Sequence, residues 1–111
     1  MAERKSSYAE FWPYYLQEHG KSKTRYLHFI GTAGAILFLF NALLNTHALS
    51  LLAAAVCGYF FAWVGHFFIE KNRPATFTHP LWSLVSDFRM FFLWLGRGLE
   101  AELKRADVSE I

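Results

Sequence analysis

The chain has 111 residues, a formal net charge of +2, 54% hydrophobic residues and 19% aromatics. That length allows one domain, and the apolar content excludes a disordered segment. The near-neutral balance, with no Lys/Arg tract interleaved with aromatics, excludes a nucleic-acid partner, and the lone Cys57 excludes a disulfide framework.

No cleavable signal peptide is read at the start, where the chain stays polar through Ser7. Any insertion into a membrane would then be made by the mature chain. Ser7 to His19 reads as a short amphipathic helix, with Ser7 as its cap and Glu10 three residues on in capping-box position. Tyr8, Phe11, Trp12 and Tyr15 recur at helical spacing, and Pro13 disturbs the regular part. Aromatics in that density suit the headgroup boundary of a bilayer. The other reading is a helix packed on a soluble core. Gly20 is placed to close the helix.

Lys21-Ser22-Lys23 forms a basic turn, and Thr24 is positioned to cap the next helix. From Tyr26 to Leu44 there is no formal charge beyond whatever His28 carries, which is roughly the twenty residues needed to cross a hydrocarbon core. Gly31 and Ala35 make a small-xxx-small pair that admits a close neighbour helix. Asn45-Thr46-His47 is a polar loop, and Ala48 to Ile69 repeats the spanning length. Two such runs on so short a loop predict a transmembrane hairpin.

The second run ends in Glu70-Lys71-Asn72-Arg73-Pro74, where Pro74 biases the residue before it away from helix. His66 and Glu70 lie one turn apart on one face. Pro80 fits the first turn of a third helix. Leu81 to Leu95 is apolar but carries Asp87 and Arg89, each costing about 2.5–3.5 kcal/mol at mid-bilayer. That segment therefore turns both groups inward or lies shallow. Beyond Gly96 and Gly98, Leu99 to Asp107 reads as a solvated amphipathic helix with a Glu100–Lys104 pair. The expected class is all-α within one domain over 1–111, with a polar tail at 97–111. Its parts are an interfacial N-terminal helix, a transmembrane hairpin, a third embedded or interfacial helix and the solvated C-terminal helix.

Arg4, Lys5, Lys21, Lys23 and Arg25 precede the hairpin, Lys71 and Arg73 come after it, and its loop has no basic residue. The positive-inside rule puts both hairpin ends on the cytoplasmic side. That side belongs to the endoplasmic reticulum in a eukaryote or the inner membrane in a bacterium.

Depth sorts the histidines. His28 and His66 each lie about 6–9 Å below that boundary, at roughly 1.5 Å per residue. His19 ends the preceding helix and His79 comes after the turn beyond His66, so four imidazoles converge at one level while His47 stands alone on the other side. This predicts a metal site of His19, His28, His66 and His79, with ligand type alone leaving Fe, Zn, Cu and Ni open. Glu70 is read as a ligand or as orienting a histidine, and Asp87 as a second carboxylate support. Arg73, Asn72 and Arg25 border the site as candidates to hold a substrate carboxylate, although Arg25 equally suits lipid phosphate. Phosphate loops, nucleophile elbows, H-E-x-x-H, C-x-x-C and the dense histidine boxes of di-iron desaturases are absent. One ion is expected rather than two.

Phe11-Trp12 with Tyr15-Leu16 and His19, Thr24-Arg25 with His28 and Gly31-Thr32, and Ala62-Trp63 with Gly65-His66-Phe67 form a pattern with Glu70, Asn72-Arg73-Pro74-Ala75-Thr76-Phe77 and His79-Pro80. This pattern resembles a family of small multi-pass membrane proteins. Their characterised fungal member is an endoplasmic-reticulum Fe(II)-dependent 2-hydroxy-fatty-acid dioxygenase of phytosphingosine breakdown. The likeness spans 8–90. It implies an Fe(II) enzyme that takes a 2-hydroxy fatty acid and O2 as substrates and yields a fatty acid one carbon shorter, CO2 and water. It also implies three histidines binding directly with the fourth in support, and an acyl tail lying between the apolar helices. Two further readings compete: a non-catalytic membrane module holding a b-type haem between His28 and His66 or binding lipid, and a structural adaptor with hydrogen-bonded histidines.

Overall fold

The computed structural model describes residues 4–111, and among them there is no strand. Five α-helices occur in order: α1 (Tyr8–Gln17), α2 (Ser22–Asn45), α3 (Leu49–Val64), α4 (Pro80–Leu95) and α5 (Leu99–Arg105). The all-α expectation holds. Ser7 caps α1 by accepting from the Glu10 N–H at 3.3 Å, and Pro80 opens α4.

Three local expectations are corrected. Gly20 does not close α1; Glu18 is the cap, and no glycine has positive φ. The second helix begins at Ser22, before Thr24, with Lys21 as a cap that has no side-chain bond. Carboxylates from elsewhere take over the capping: Glu70 Oε2 accepts from the Lys21 N–H and Glu110 Oε2 from the Ser22 N–H. Finally, α3 does not stop cleanly. It widens into a π-helical turn over Gly65–Glu70 and ends at Lys71, which has φ 63°.

The α2–α3 hairpin is the most extensive helix pair. A Cβ on Gly31 would lie 3.1 Å from the Cys57 and Gly58 carbonyl oxygens, and one on Gly34 would overlap Cys57 Sγ. The expected Gly31–Ala35 face does meet α3, and Gly34 joins it. Both elements, Ser22–Asn45 and Leu49–Glu70, are long and apolar enough to cross a membrane. Less than a third of either is buried. Leu37, Leu43, Leu44 and Leu49 at the loop end are all at least 70% exposed, a large apolar surface that the core helices of a soluble domain would bury.

The core sits at the other end. Phe11, Tyr15 and Leu16 of α1 are wholly buried, packed with Phe29 of α2, Met90 and Phe91 of α4, and Leu99 and Leu103 of α5. The aromatic face of α1 is therefore turned into protein. The tail is docked by one face: Leu103, Ala106 and Val108 are buried while Glu100 and Lys104 stay exposed and paired at 3.8 Å. The Trp12 indole N–H donates to Glu102 and the Gln17 amide to the Ala106 carbonyl, which ties α1 to α5. The molecule is a packed head carrying a bare apolar hairpin.

Candidate metal centre

Three histidines meet where the hairpin enters the head. His19 lies just past α1, held by its N–H to the Leu16 carbonyl at 3.1 Å. His28 stands in the second turn of α2, and His66 is in the π turn. The extra residue per turn widens the helix there, a distortion that recurs at functional sites. Gly65 lets α2 approach closely, since a Cβ on it would lie 3.0 Å from Thr24 Cγ2. All three imidazoles are at most 4% exposed.

Their Nε2 atoms form a triangle of 2.9 Å (His19–His28), 3.2 Å (His28–His66) and 3.0 Å (His66–His19). The other ring nitrogens decide what the triangle means. His19 Nδ1–H donates to the Tyr15 carbonyl at 2.6 Å, and His66 Nδ1–H to Asn72 Oδ1 at 2.7 Å. The Asn72 amide is oriented independently, because its Nδ2 donates to the Glu18 carbonyl. His28 Nδ1 faces Asp87 Oδ1 at 3.6 Å, and Asp87 in turn accepts from the Tyr15 hydroxyl. With the His19 and His66 protons on Nδ1, those two Nε2 atoms are lone-pair acceptors pointing at each other and at His28 Nε2, and a single proton there can serve only one of them. A cation resolves the conflict.

The dimensions fit one. Bonds of about 2.1 Å give a nitrogen–nitrogen edge of about 3.0 Å on an octahedral face and about 3.4 Å on a tetrahedral one. The observed edges lie in the range that three nitrogens around one ion would span. A haem does not fit. Its axial nitrogens stand about 4 Å apart on opposite sides of a macrocycle, whereas His28 and His66 converge at 3.2 Å with His19 in the gap. Thr24, one turn before His28, adds an orphaned donor: its Oγ1 is buried without a partner.

Electrostatics agree with a site poised for a cation. Burial, reinforced by the neighbouring imidazoles, holds the His19 pKa well below its ordinary value, keeping the ring neutral and able to ligate. Burial also pushes the Asp87 carboxyl up to about 7, against the opposing pull of the Tyr15 hydroxyl. The Tyr15 ring lies against His19 at a centroid distance of 4.2 Å.

Not every residue expected at the site is brought to it. His79 is absent from the group. The Lys5 N–H donates to its Nε2 at 2.9 Å, and its Nδ1–H donates to Thr78 Oγ1 at 2.7 Å, so its lone pair is already used. Phe11, at a ring distance of 4.9 Å, packs on its face. Glu70 is likewise outside the group, spent on the α2 N-terminus. Arg25 is not a free anchor beside the histidines: it is buried, donating to the His19 and Glu110 carbonyls, and borders a separate cavity between α2, α4 and α5. Asn72 is turned to His66, while Arg73 is exposed on the turn. Tyr15 and Glu110 were missed as supports of the centre. Tyr15 stood in the sequence as an aromatic of the first helix and a part of the family pattern, one turn before His19, and Glu110 had no signal beyond its place on the tail.

Neither the curated proteins nor the solved structures compared give a match. A family described as "2-hydroxy-palmitic acid dioxygenase Mpo1-like" does match, over residues 5–99, a stretch that carries all three converging histidines and Asp87. The chain belongs to this Mpo1-like family.

Proposed function

We propose that this chain is a bilayer-embedded dioxygenase that uses Fe(II) to shorten 2-hydroxy long-chain fatty acids by one carbon. The balance is R–CH(OH)–COOH + O2 → R–COOH + CO2 + H2O. The substrate gives all four electrons, so no reducing cofactor is required. The reading rests on the three converging Nε2 atoms, two of them held as lone pairs by an acceptor on Nδ1 and the third, on His28, facing Asp87 with its Nδ1. Among the ions that imidazole suits, the family's dioxygenase description favours iron. When bound, the ion supplies open positions at which O2 and a chelating 2-hydroxy carboxylate meet.

His19, His28 and His66 hold the ion. The Tyr15 carbonyl and Asn72 set which nitrogen of His19 and His66 carries the proton, and the Asp87 carboxyl lies on the Nδ1 side of His28. Asp87, beside His28 and on the wall of the adjoining cavity, is placed to accept the hydrogen of the substrate hydroxyl. Exposed Arg73 draws the anionic head to this face, and Arg25 fixes the His19 backbone. Residues 1–111 act as a single domain. The hairpin crosses the bilayer, and exposed Lys21, Lys23, Lys71 and Arg73 keep the histidine end on the cytoplasmic side.

The test is direct. Purified protein is incubated with a 2-hydroxy fatty acid, Fe(II) and O2, and mass spectrometry seeks the acid shortened by one carbon with equimolar CO2. Folded, iron-loaded protein that yields neither product overturns the proposal.

A further inference from the structure

A narrow cavity leads away from the histidines. His28 and Asp87 form its polar end. Beyond them the walls are mostly small: Thr32 and Ala35 on α2, with Ala54, Ala55, Gly58 and the larger Tyr59 on α3. Leu84 and Phe88 of α4 face these across the gap. Both α3 and α4 lean on α2 but hardly on each other, so the cavity runs along an unsealed seam between them. At its outer rim Leu84 is 44% and the adjoining Val85 58% exposed, so the seam opens onto the same apolar surface as the hairpin.

Its size limits what it takes. The volume is about 70 Å3, whereas pockets that engulf a drug-sized ligand run to about 300–1,000 Å3. A few methylenes fit; a long alkyl chain does not. The polar end carries one of the three histidines, His28, and beyond it the hydroxyls of Thr32 and Tyr59 are the only side-chain hydrogen-bonding groups on otherwise apolar walls. The matching occupant is a single-chain amphiphile with its head at the histidines.

We infer that the α3–α4 seam is a lateral port through which the substrate's alkyl chain leaves the centre, so that only its first few carbons are gripped and the remainder stays in the bilayer. The inference rests on the dioxygenase reading for the identity of the head group. It assigns specificity to carbons 3 to 5 and makes the far end of the chain irrelevant. Gly58 is the wall residue that sets the width. A Cβ there would meet Ala35 Cβ at 3.8 Å, an ordinary contact, so Gly58→Ala fits while Gly58→Leu fills the seam.

The experiment uses iron-loaded protein in lipid nanodiscs with three 2-hydroxy acids: a straight chain, one branched by a methyl at carbon 3, and one bearing a pyrene at its far end. The straight and pyrene acids should turn over at comparable rates, and the branched acid at least about tenfold more slowly. Gly58→Leu should slow the straight acid about tenfold with iron content and helicity unchanged. A branched acid accepted while the pyrene acid is rejected, or a Gly58→Leu protein of undiminished rate, overturns the port and leaves the dioxygenase standing.

Metal-free protein gives a second readout. A 2-hydroxy fatty acid with a diazirine at carbon 4 should label Tyr59, Leu84 and Phe88. Seam-confined labelling without turnover keeps the port and sinks the dioxygenase. Labels spread over Leu37 and Leu43, or equal seam labelling by a diazirine phospholipid, overturn the port.

Discussion

A neutral histidine ligates through one nitrogen when the other holds the proton, and two of the rings at this centre, His19 and His66, have an acceptor that ensures it. Asn72 does so for His66 with both ends of its amide engaged, so Asn72→Ala should free the ring to flip and weaken metal binding about 10- to 100-fold, measured by competition with a chelator. His28→Ala should abolish stoichiometric metal by elemental analysis. His79→Ala should retain it, because that ring's lone pair already accepts from the Lys5 N–H. Protons compete with the ion only below the depressed His19 pKa, so metal should stay bound at pH 6, where an exposed histidine trio would be shedding it. Asp87 works in the opposite sense. Its pKa rises from 3.8 to about 7 on folding, so the metal-free native state keeps a proton that the unfolded chain loses. The stability from this source is complete below about pH 4 and disappears as pH climbs through about 7. Asp87→Asn can still accept from Tyr15, and its melting temperature should lack the wild-type decline between pH 5 and 8.

At the scale of elements, the hairpin depends on how closely two backbones approach. Gly34→Ala places a methyl against Cys57 Sγ and should destabilise the protein by about 1–3 kcal/mol. Pairing it with Cys57→Ala removes the clash, since the next atom in line is Cys57 Cβ at 3.8 Å, and should recover most of the loss in thermal unfolding. The sequence marked this face through Gly31 and Ala35. It could not mark the π turn, because i,i+4 patterning assumes a regular helix, and His66 and Glu70 share a face only in one. In the widened turn His66 points to the centre while Glu70 reaches back to the Lys21 N–H. Thr24 failed as a cap for a related reason: distant carboxylates supplied the capping acceptors that local rules seek nearby.

Across the whole molecule, an aromatic head locks the histidine end and leaves the loop end bare. Arg25 joins the two halves of that lock by donating to the His19 carbonyl and to the Glu110 carbonyl on the tail. Removing residues 109–111 should therefore loosen His19 and raise the metal dissociation rate, although the truncation lies over 80 residues away in sequence. If the hairpin crosses the bilayer, cysteines introduced at Thr46 and at Lys71 should react with an impermeant maleimide from opposite sides of sealed vesicles. Labelling of both from one side would rule out the crossing.

The sequence by itself determined whatever is local or periodic: five helices, two runs of spanning length, and the level at which His19, His28 and His66 stand. Hydropathy, proline placement and rise per residue are properties of short stretches, and they survive folding. Only tertiary structure decided which side chains meet. Placing His79, Glu70, Asn72 and Arg25 required the rotation of each helix about its axis and partners 6 to 85 residues distant. A nitrogen's lone pair is available only when no nearer donor has claimed it, and that depends on packing across the whole head.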